Sequence, residues 1–553
     1  MQRFFHRASV DALQAACLGI AIVLLVPIGG VVLGLFDGDG IAWAHISRTT
    51  LPDLVANSLM LALAVAVGVA VIGTSCAWLT TQYEFPGRSA FEWLLILPLA
   101  MPAYVMAYAY TDALQYAGPV QSALRELFAW QTKSDYWFPE IRSLGGAATM
   151  LTFVLYPYVY LLARVAFNEQ STPLTEAGRT FGLSRVGIMW RVSLPLARPA
   201  IAAGTALAVM ETLADFGTVS YFGVNTFTTG IFNAWFSQGD RASASKLAVI
   251  LLLFVALAMA LEHAARRRSK FHQVTGRAPS RHLLAGVKRF GAMSVCGLPI
   301  LVGFALPTFM LFRLAMSNGD SAFGANFLTL VGNSVAVSMM AAIAAVALAL
   351  LLAYGARLSR RGWSRAINRA TGLGYAIPGT VIAVGVLVPV GRFDHALVDV
   401  LEHMSGHAVP LLLTGGVAVL VYAYLIRFLG VAQQSVDAGL ANITPSMDDA
   451  ARSLGASTAR VAMRVHAPLL KGSLITAGLL VFVEVMKELP ATLVLRPFNF
   501  DTLAVQAYHL AMDERLAEAS TASLAIVAVG LIPVIAASRA IARATTGSRR
   551  QRA

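Results

Sequence analysis

Across 553 residues the chain is 57% hydrophobic and only 13% charged, with a mean hydropathy of +0.67. A soluble protein of this length would need far more polar surface to cover itself, so that class is excluded. The net charge of +13 would suit nucleic acid, but the basic residues alternate with long apolar runs instead of forming one polar face, and no nucleic-acid partner is expected.

Twelve apolar runs are long enough for a helix to cross about 30 Å of hydrocarbon. They fall near 13–35, 54–80, 90–114, 146–168, 197–222, 245–264, 291–314, 329–356, 370–391, 409–430, 473–493 and 521–543. The first follows Arg3 and Arg7. It is too long for a usual signal peptide and lacks a small-residue cleavage site, so it reads as a retained anchor. The second and third runs carry Asn57-Ser58 and Pro102. Between the third and fourth lies an aromatic-rich segment, 116–145. It reads as an interfacial anchor, and a docking surface for an external partner is the sharper alternative. After the fourth run comes the loop EAGRTFGLSRVGIMWRVSLPLARP (176–199), and the fifth run holds Glu211 and Asp215. A basic, polar stretch at 266–290 follows the sixth run and reads as a linker and topology anchor.

The second half of the chain repeats this order. Asn333-Ser334 and Pro378 recur at an offset of 276, and DAARSLGASTARVAMRVHAPLLKG (449–472) repeats the loop at an offset of 273. Glu211, Asp215, Phe227, Thr229 and Asp240 return at that offset as Glu484, Glu488, Phe500, Thr502 and Asp513. The chain therefore divides by repeat into a first transmembrane domain (1–265), a cytosolic basic linker (266–290) and a second transmembrane domain (291–553). Six spans per half return the chain to its starting side. The expected fold is an all-α polytopic membrane protein, with about twelve helices in two six-helix halves related by a pseudo-twofold axis and a transport path where the halves meet. With the N-terminus in the cytosol, 31 of the 42 Lys and Arg fall on the cytosolic side. That asymmetry places both termini and both copies of the loop in the cytosol.

Each loop reads as a helix, a turn and a second helix entering the bilayer. Thr172-Pro173 and Thr444-Pro445 are helix starts. Glu176 and Asp449 sit near a helix N-terminus, where a carboxylate is favoured. Gly182 and Gly455 supply the turn. Arg191 and Arg464 follow at equal spacing, and Pro195 and Pro468 mark entry to the next span. Inside the membrane, Glu211 and Asp215 are four apart on one helix face, as are Glu484 and Glu488, with Lys487 nearby. Intramembrane carboxylates face a cavity or a partner, so these four either line a pathway or make interhelical hydrogen bonds and ion pairs. His403 and His407 have the i, i+4 spacing of a metal pair but read better as part of a solvated loop. The three cysteines, Cys17, Cys76 and Cys296, have no CxxC spacing and imply neither disulfides nor zinc. No stable metal site is expected.

The loop residues match a known family. Glu176, Ala177 and Gly182, then Asp449, Ala450 and Gly455, resemble the EAA motif of ABC-importer permeases, a cytosolic helix that sits in a cleft of the ATPase subunit. The pattern is Glu-Ala-Ala, three residues, then Gly; here Gly178 replaces the second alanine and Asp449 the glutamate. The resemblance implies a type I, MetI-like permease, with Glu176, Ala177, Gly182, Arg191, Pro195 and their counterparts Asp449, Ala450, Gly455, Arg464 and Pro468 as the ATPase-coupling set. The stretches 135–146, 156–171, 211–223 and 482–504 make the fused layout similar to ferric-iron permeases, and fused thiamine permeases share it. No Gly-Lys dipeptide occurs, hence no phosphate loop. The chain is not expected to be an enzyme or to bind a cofactor. ATP and Mg would sit on a separate ATPase, expected as a homodimer, and a periplasmic binding protein would deliver cargo. The expected place is the bacterial inner membrane, among lipid. An ion-coupled secondary transporter is the alternative from another class.

Overall fold

The computed structural model describes residues 2–36, 38, 42–170, 180–267, 281–318, 325–358, 362–441, 443–454, 456 and 458–550. Its main helices are α1 (Gln2–Leu33), α2 (Leu51–Gln82), α3 (Ala103–Leu114), α4 (Leu144–Asn168), α5 (Leu194–Ala214), α6 (Arg241–Arg267), α7 (Val287–Ile300), α8 (Leu306–Asn318), α9 (Ala325–Leu358), α10 (Gly379–Ser405), α11 (Val417–Ala441), α12 (Pro445–Ser453), α13 (Ala467–Met486) and α14 (Leu516–Arg550). Among the described residues, eleven helical segments are long and apolar enough to cross a membrane. The count is twelve if Arg88–Ala100 and Ala103–Phe128, bent by 91°, form one broken span. The all-α fold follows.

The repeat is legible in the elements. Both ends of α4 and α11 differ by 273, and so do the ends of the single wide π-helical turns at Met189–Ser193 and Ala462–His466. Several span boundaries depart from the hydropathy reading. The span near 90–114 is broken because Pro102 takes an extended conformation and starts a new helix. Pro378 does the same, so α10 begins at Gly379 instead of near 370. The run at 409–430 becomes α11, which continues through polar Gln433 to Ala441. Buried Gln433 is stabilised there by hydrogen bonds from its amide to Asn368 and Thr371 (3.1 and 2.8 Å). The shift also moves Arg427 from the cytosolic end of the expected run to the middle of the helix.

Packing divides the chain into two compact units that follow a different partition from the repeat at 1–265 and 291–553. One unit comprises Met1–Trp43, Ala234–Val249 and Ala325–Val505. In it α1 packs along α10, where a Cβ on Gly385 would lie 2.4 Å from the Pro27 carbonyl oxygen. The other comprises Ala44–Asn233, Ile250–Gly324 and Gln506–Ala553. Its centre is α2, α4 and α5, held close by glycines: a Cβ on Gly73 would lie 2.7 Å from Val159 Cβ, and one on Gly204 2.6 Å from Val159 Cα. Such small-residue contacts let membrane helices approach closely. Here the end of the expected linker is not a free tether. His282–Leu283 forms a two-residue parallel strand with Tyr83–Glu84, and Arg281 reaches Glu92 at 3.7 Å.

Candidate coupling loops and intramembrane charges

In the second loop, Pro445 occupies the start of α12, where its missing N–H costs nothing. The helix ends at Ser453; Gly455 lies outside the described residues, as does the side chain of Asp449, while Ala450 is exposed. A short helix (Thr458–Val461) and the π turn carry the chain into α13, with Pro468 in its first turn. In the first loop, Glu176 and Ala177 lie outside the described residues. Gly182 sits in a turn at φ +76°, a conformation cheap only for glycine. Ser184 then caps the helix Arg185–Ile188 by accepting the Gly187 N–H at 3.1 Å, and the π turn leads into α5, with Pro195 in its first turn. Arg191 and Arg464 are exposed on the two π turns.

Sequence reasoning missed two features here. Large apolar side chains stand exposed at matched positions: Phe181 (86%) and Leu454 (89%) before the glycines, Trp190 (62%) and Met463 (69%) on the π turns. Their common offset of 273 was available as a signal. The second feature is Asp448, one residue before the motif acid. Its carboxylate accepts from Arg357 Nη2 at 3.0 Å and Nε at 3.2 Å, and from His466 Nε2 at 2.6 Å. Burial alone would raise the Asp448 carboxyl, but the bonds from His466 and Arg357 outweigh it and hold it below its ordinary value. Nothing in the sequence pairs Asp448 with residues 91 positions away.

The intramembrane carboxylates separate into different roles. Glu211 and Asp215 do not share a helix face, because α5 ends at Ala214 and Asp215 has an extended backbone (ψ 132°). Asp215 instead accepts the N–H groups of Thr218 and Val219, both at 3.1 Å, at the start of the helix Gly217–Tyr221. Glu488 makes the equivalent cap, accepting from the N–H groups of Ala491 and Thr492 at 2.9 Å. It is 1% exposed and pairs with Arg427 Nη1 at 3.1 Å. Here too α13 stops at Met486, before Glu488. Glu484 pairs with Lys487 at 2.9 Å. Glu211 is half-buried, and its half of the repeat has Ala214 where Lys487 stands. These sites break their helices because a carboxylate at such a break satisfies backbone donors that the membrane cannot.

The repeated Asn-Ser pairs hold the segments that follow the broken helices. Asn57 Nδ2 donates to the Asn225 carbonyl at 2.9 Å, and Ser58 Oγ accepts the Phe227 N–H at 3.2 Å. Asn333 donates to the Asp501 carbonyl at 3.0 Å, and Ser334 accepts the Leu503 N–H at 2.8 Å. In the segment 116–145, Phe128, Trp130 and Tyr136 stack on one another, with ring centroids 4.8 and 4.7 Å apart, while Trp137 remains 86% exposed. His403 and His407 do not face each other along a helix, since α10 ends at Ser405 and each ring lies against a backbone carbonyl, of Asp399 and Ser405.

Residues 69–270 match the family described as binding-protein-dependent transport system inner membrane component. This stretch is a permease domain of that family. With eleven to twelve candidate spans among the described residues, the chain is a multi-pass membrane protein. It is similar over most of its length to the Fe(3+)-transport system permease protein FbpB 2 of Haemophilus influenzae, at 25% identity over 88% of this chain and 90% of the relative. It is equally similar to the ferric transport system permease protein FbpB of Actinobacillus pleuropneumoniae, at 25% identity over 91% of this chain and 73% of the relative. The sulfate transport system permease protein CysT of Salmonella typhimurium is 27% identical, and 86% of it is matched by only 44% of the permease chain. Proteins of this kind are transport components by name.

Proposed function

We propose that this chain is the permease of an ABC importer that carries ferric iron across the bacterial inner membrane. The observation that carries this reading is similarity to Fe(3+)-transport permeases along nearly the whole chain. A sulfate permease of single-unit length spans less than half of it, which supports two permease halves in one polypeptide. The two loops then receive a separate ATPase that holds ATP and Mg, and a homodimer suits two matched receivers. Gly182 at its left-handed turn, the matched helices and the exposed pairs Phe181 with Leu454 and Trp190 with Met463 support the docking role, because exposed apolar groups at a polar loop suit a protein partner. The basic loops support cytosolic termini. A periplasmic binding protein delivers the iron from the other side, and the chain itself performs no chemistry on its cargo.

Reconstitution tests this. Proteoliposomes holding the full chain, the ATPase and the binding protein encoded beside it should take up ferric iron when ATP is supplied. Uptake that follows a proton gradient and ignores ATP depletion would overturn the importer reading. ATP-driven uptake of another solute in place of iron would overturn only the cargo.

A further inference from the structure

We propose that Asp448 latches the second coupling loop to the membrane helices and that this latch carries the work of ATP hydrolysis into that half of the permease. The proposal rests on the importer reading above. Three elements meet at one carboxylate, and a fourth joins through Arg357. Arg357, at the C-terminal end of α9, donates to Asp448 on α12 and also to the carbonyls of Leu440 (3.0 Å) and Ile443 (2.9 Å), which close α11. His466, 2% exposed on the π turn ahead of α13, completes the set.

The imidazole joins the latch without needing charge. With its proton on Nε2 it donates to Asp448, and Nδ1 faces the Tyr354 hydroxyl, one turn from Arg357 on α9. Tyr354 also borders an open apolar pocket of about 410 Å³ lined by Leu13, Leu351 and Met463, and the buried ring of His466 shields its own bonds. Displacement of α12 therefore pulls on α9, α11 and α13 together.

The first loop does not repeat these four side chains. By the repeat offsets, Asp448, His466, Tyr354 and Arg357 correspond to Thr175, Ser193, Trp78 and Thr81. Thr81 turns its hydroxyl to the Ala77 carbonyl of its own helix, Trp78 meets Phe167 edge-on at 5.3 Å, and the Ser193 carbonyl accepts from Gln170 at 2.9 Å. No carboxylate stands at those positions. The two loops share a motif but not these four side chains, and Thr175 lies outside the described residues.

The test uses the reconstituted importer. Asp448→Asn keeps the volume and an acceptor oxygen but removes the charge that holds Arg357. Iron taken up per ATP hydrolysed should fall at least about fivefold, the low end of the coupling typical between linked sites. The binding-protein concentration that half-maximally stimulates the ATPase should stay unchanged, and Asp448→Glu should recover part of the lost ratio. If Asp448→Asn fails to accumulate in the membrane, His466→Leu breaks one arm and carries the same expectation. An unchanged ratio overturns the latch, and so does a Glu variant no better than the Asn variant. Absence of ATP-driven uptake by the unsubstituted chain overturns the importer reading itself, and the latch with it.

Discussion

Arg427 and Glu488 are two charges placed where water does not reach, 11% and 1% exposed. Glu488 is already held by two backbone N–H groups and by Thr492, so its charge is partly met without the arginine. Removing the guanidinium alone still strands a buried anion. Arg427→Met should lower stability by about 3–5 kcal/mol, the cost of breaking a buried pair. Glu488→Gln added to it should restore much of the loss, because the amide oxygen still caps the backbone. Thermal denaturation in detergent, comparing the single and double variants, checks this; an additive double variant would show that the pair does not interact. The sequence marked Glu488 as an intramembrane acid worth explaining and named ion pairing as one of its two roles. It did not name Arg427, because hydropathy placed that residue at the cytosolic end of its run, three residues from the boundary.

At the scale of elements, the close approach of α2, α4 and α5 depends on glycines that hydropathy cannot weigh. A methyl on Gly73 would meet Val159 Cβ at 2.7 Å and the Tyr156 carbonyl at 2.9 Å, and backbone does not yield as a side chain would. Gly73→Ala should cost about 1–3 kcal/mol by overpacking. Gly19→Ala, where nothing lies within 4 Å, should cost nothing measurable. Parallel melting curves of the two variants decide it, and equal melting would remove the packing role assigned to Gly73. The helix breaks at Asp215 and Glu488 belong to this scale as well. A carboxylate spaced four residues from another reads as one helical face only while the helix continues, and the breakers that mark the interruption, Gly217 and Pro490, stand two residues beyond Asp215 and Glu488.

At the scale of the whole molecule, repeat and packing divide the chain differently. Residues 1–43 belong to the compact unit built mainly from 325–505, and 250–324 to the unit containing α2, α4 and α5. The second half expressed alone, 291–553, therefore lacks the helix that lies against Gly385. It should be cut by protease faster than the full chain, and co-expression with 1–265 should restore resistance. Equal resistance of 291–553 on its own would show that α1 is dispensable to that unit.

By itself the sequence determined the all-helical membrane class, the number of spans to within one and the doubled loop. Each of these follows from local composition or from matching stretches, which need no partner to be read. Only the tertiary structure decided that Asp215 and Glu488 cap broken helices, that Arg427 lies at mid-helix against Glu488, that Asp448 bonds Arg357 and His466 and that α1 joins the unit formed mainly by the other half. The caps are made within four residues, but spacing alone does not say whether a helix continues past the carboxylate. The others depend on which groups meet across helices far apart in the chain, and hydropathy carries no record of such meetings.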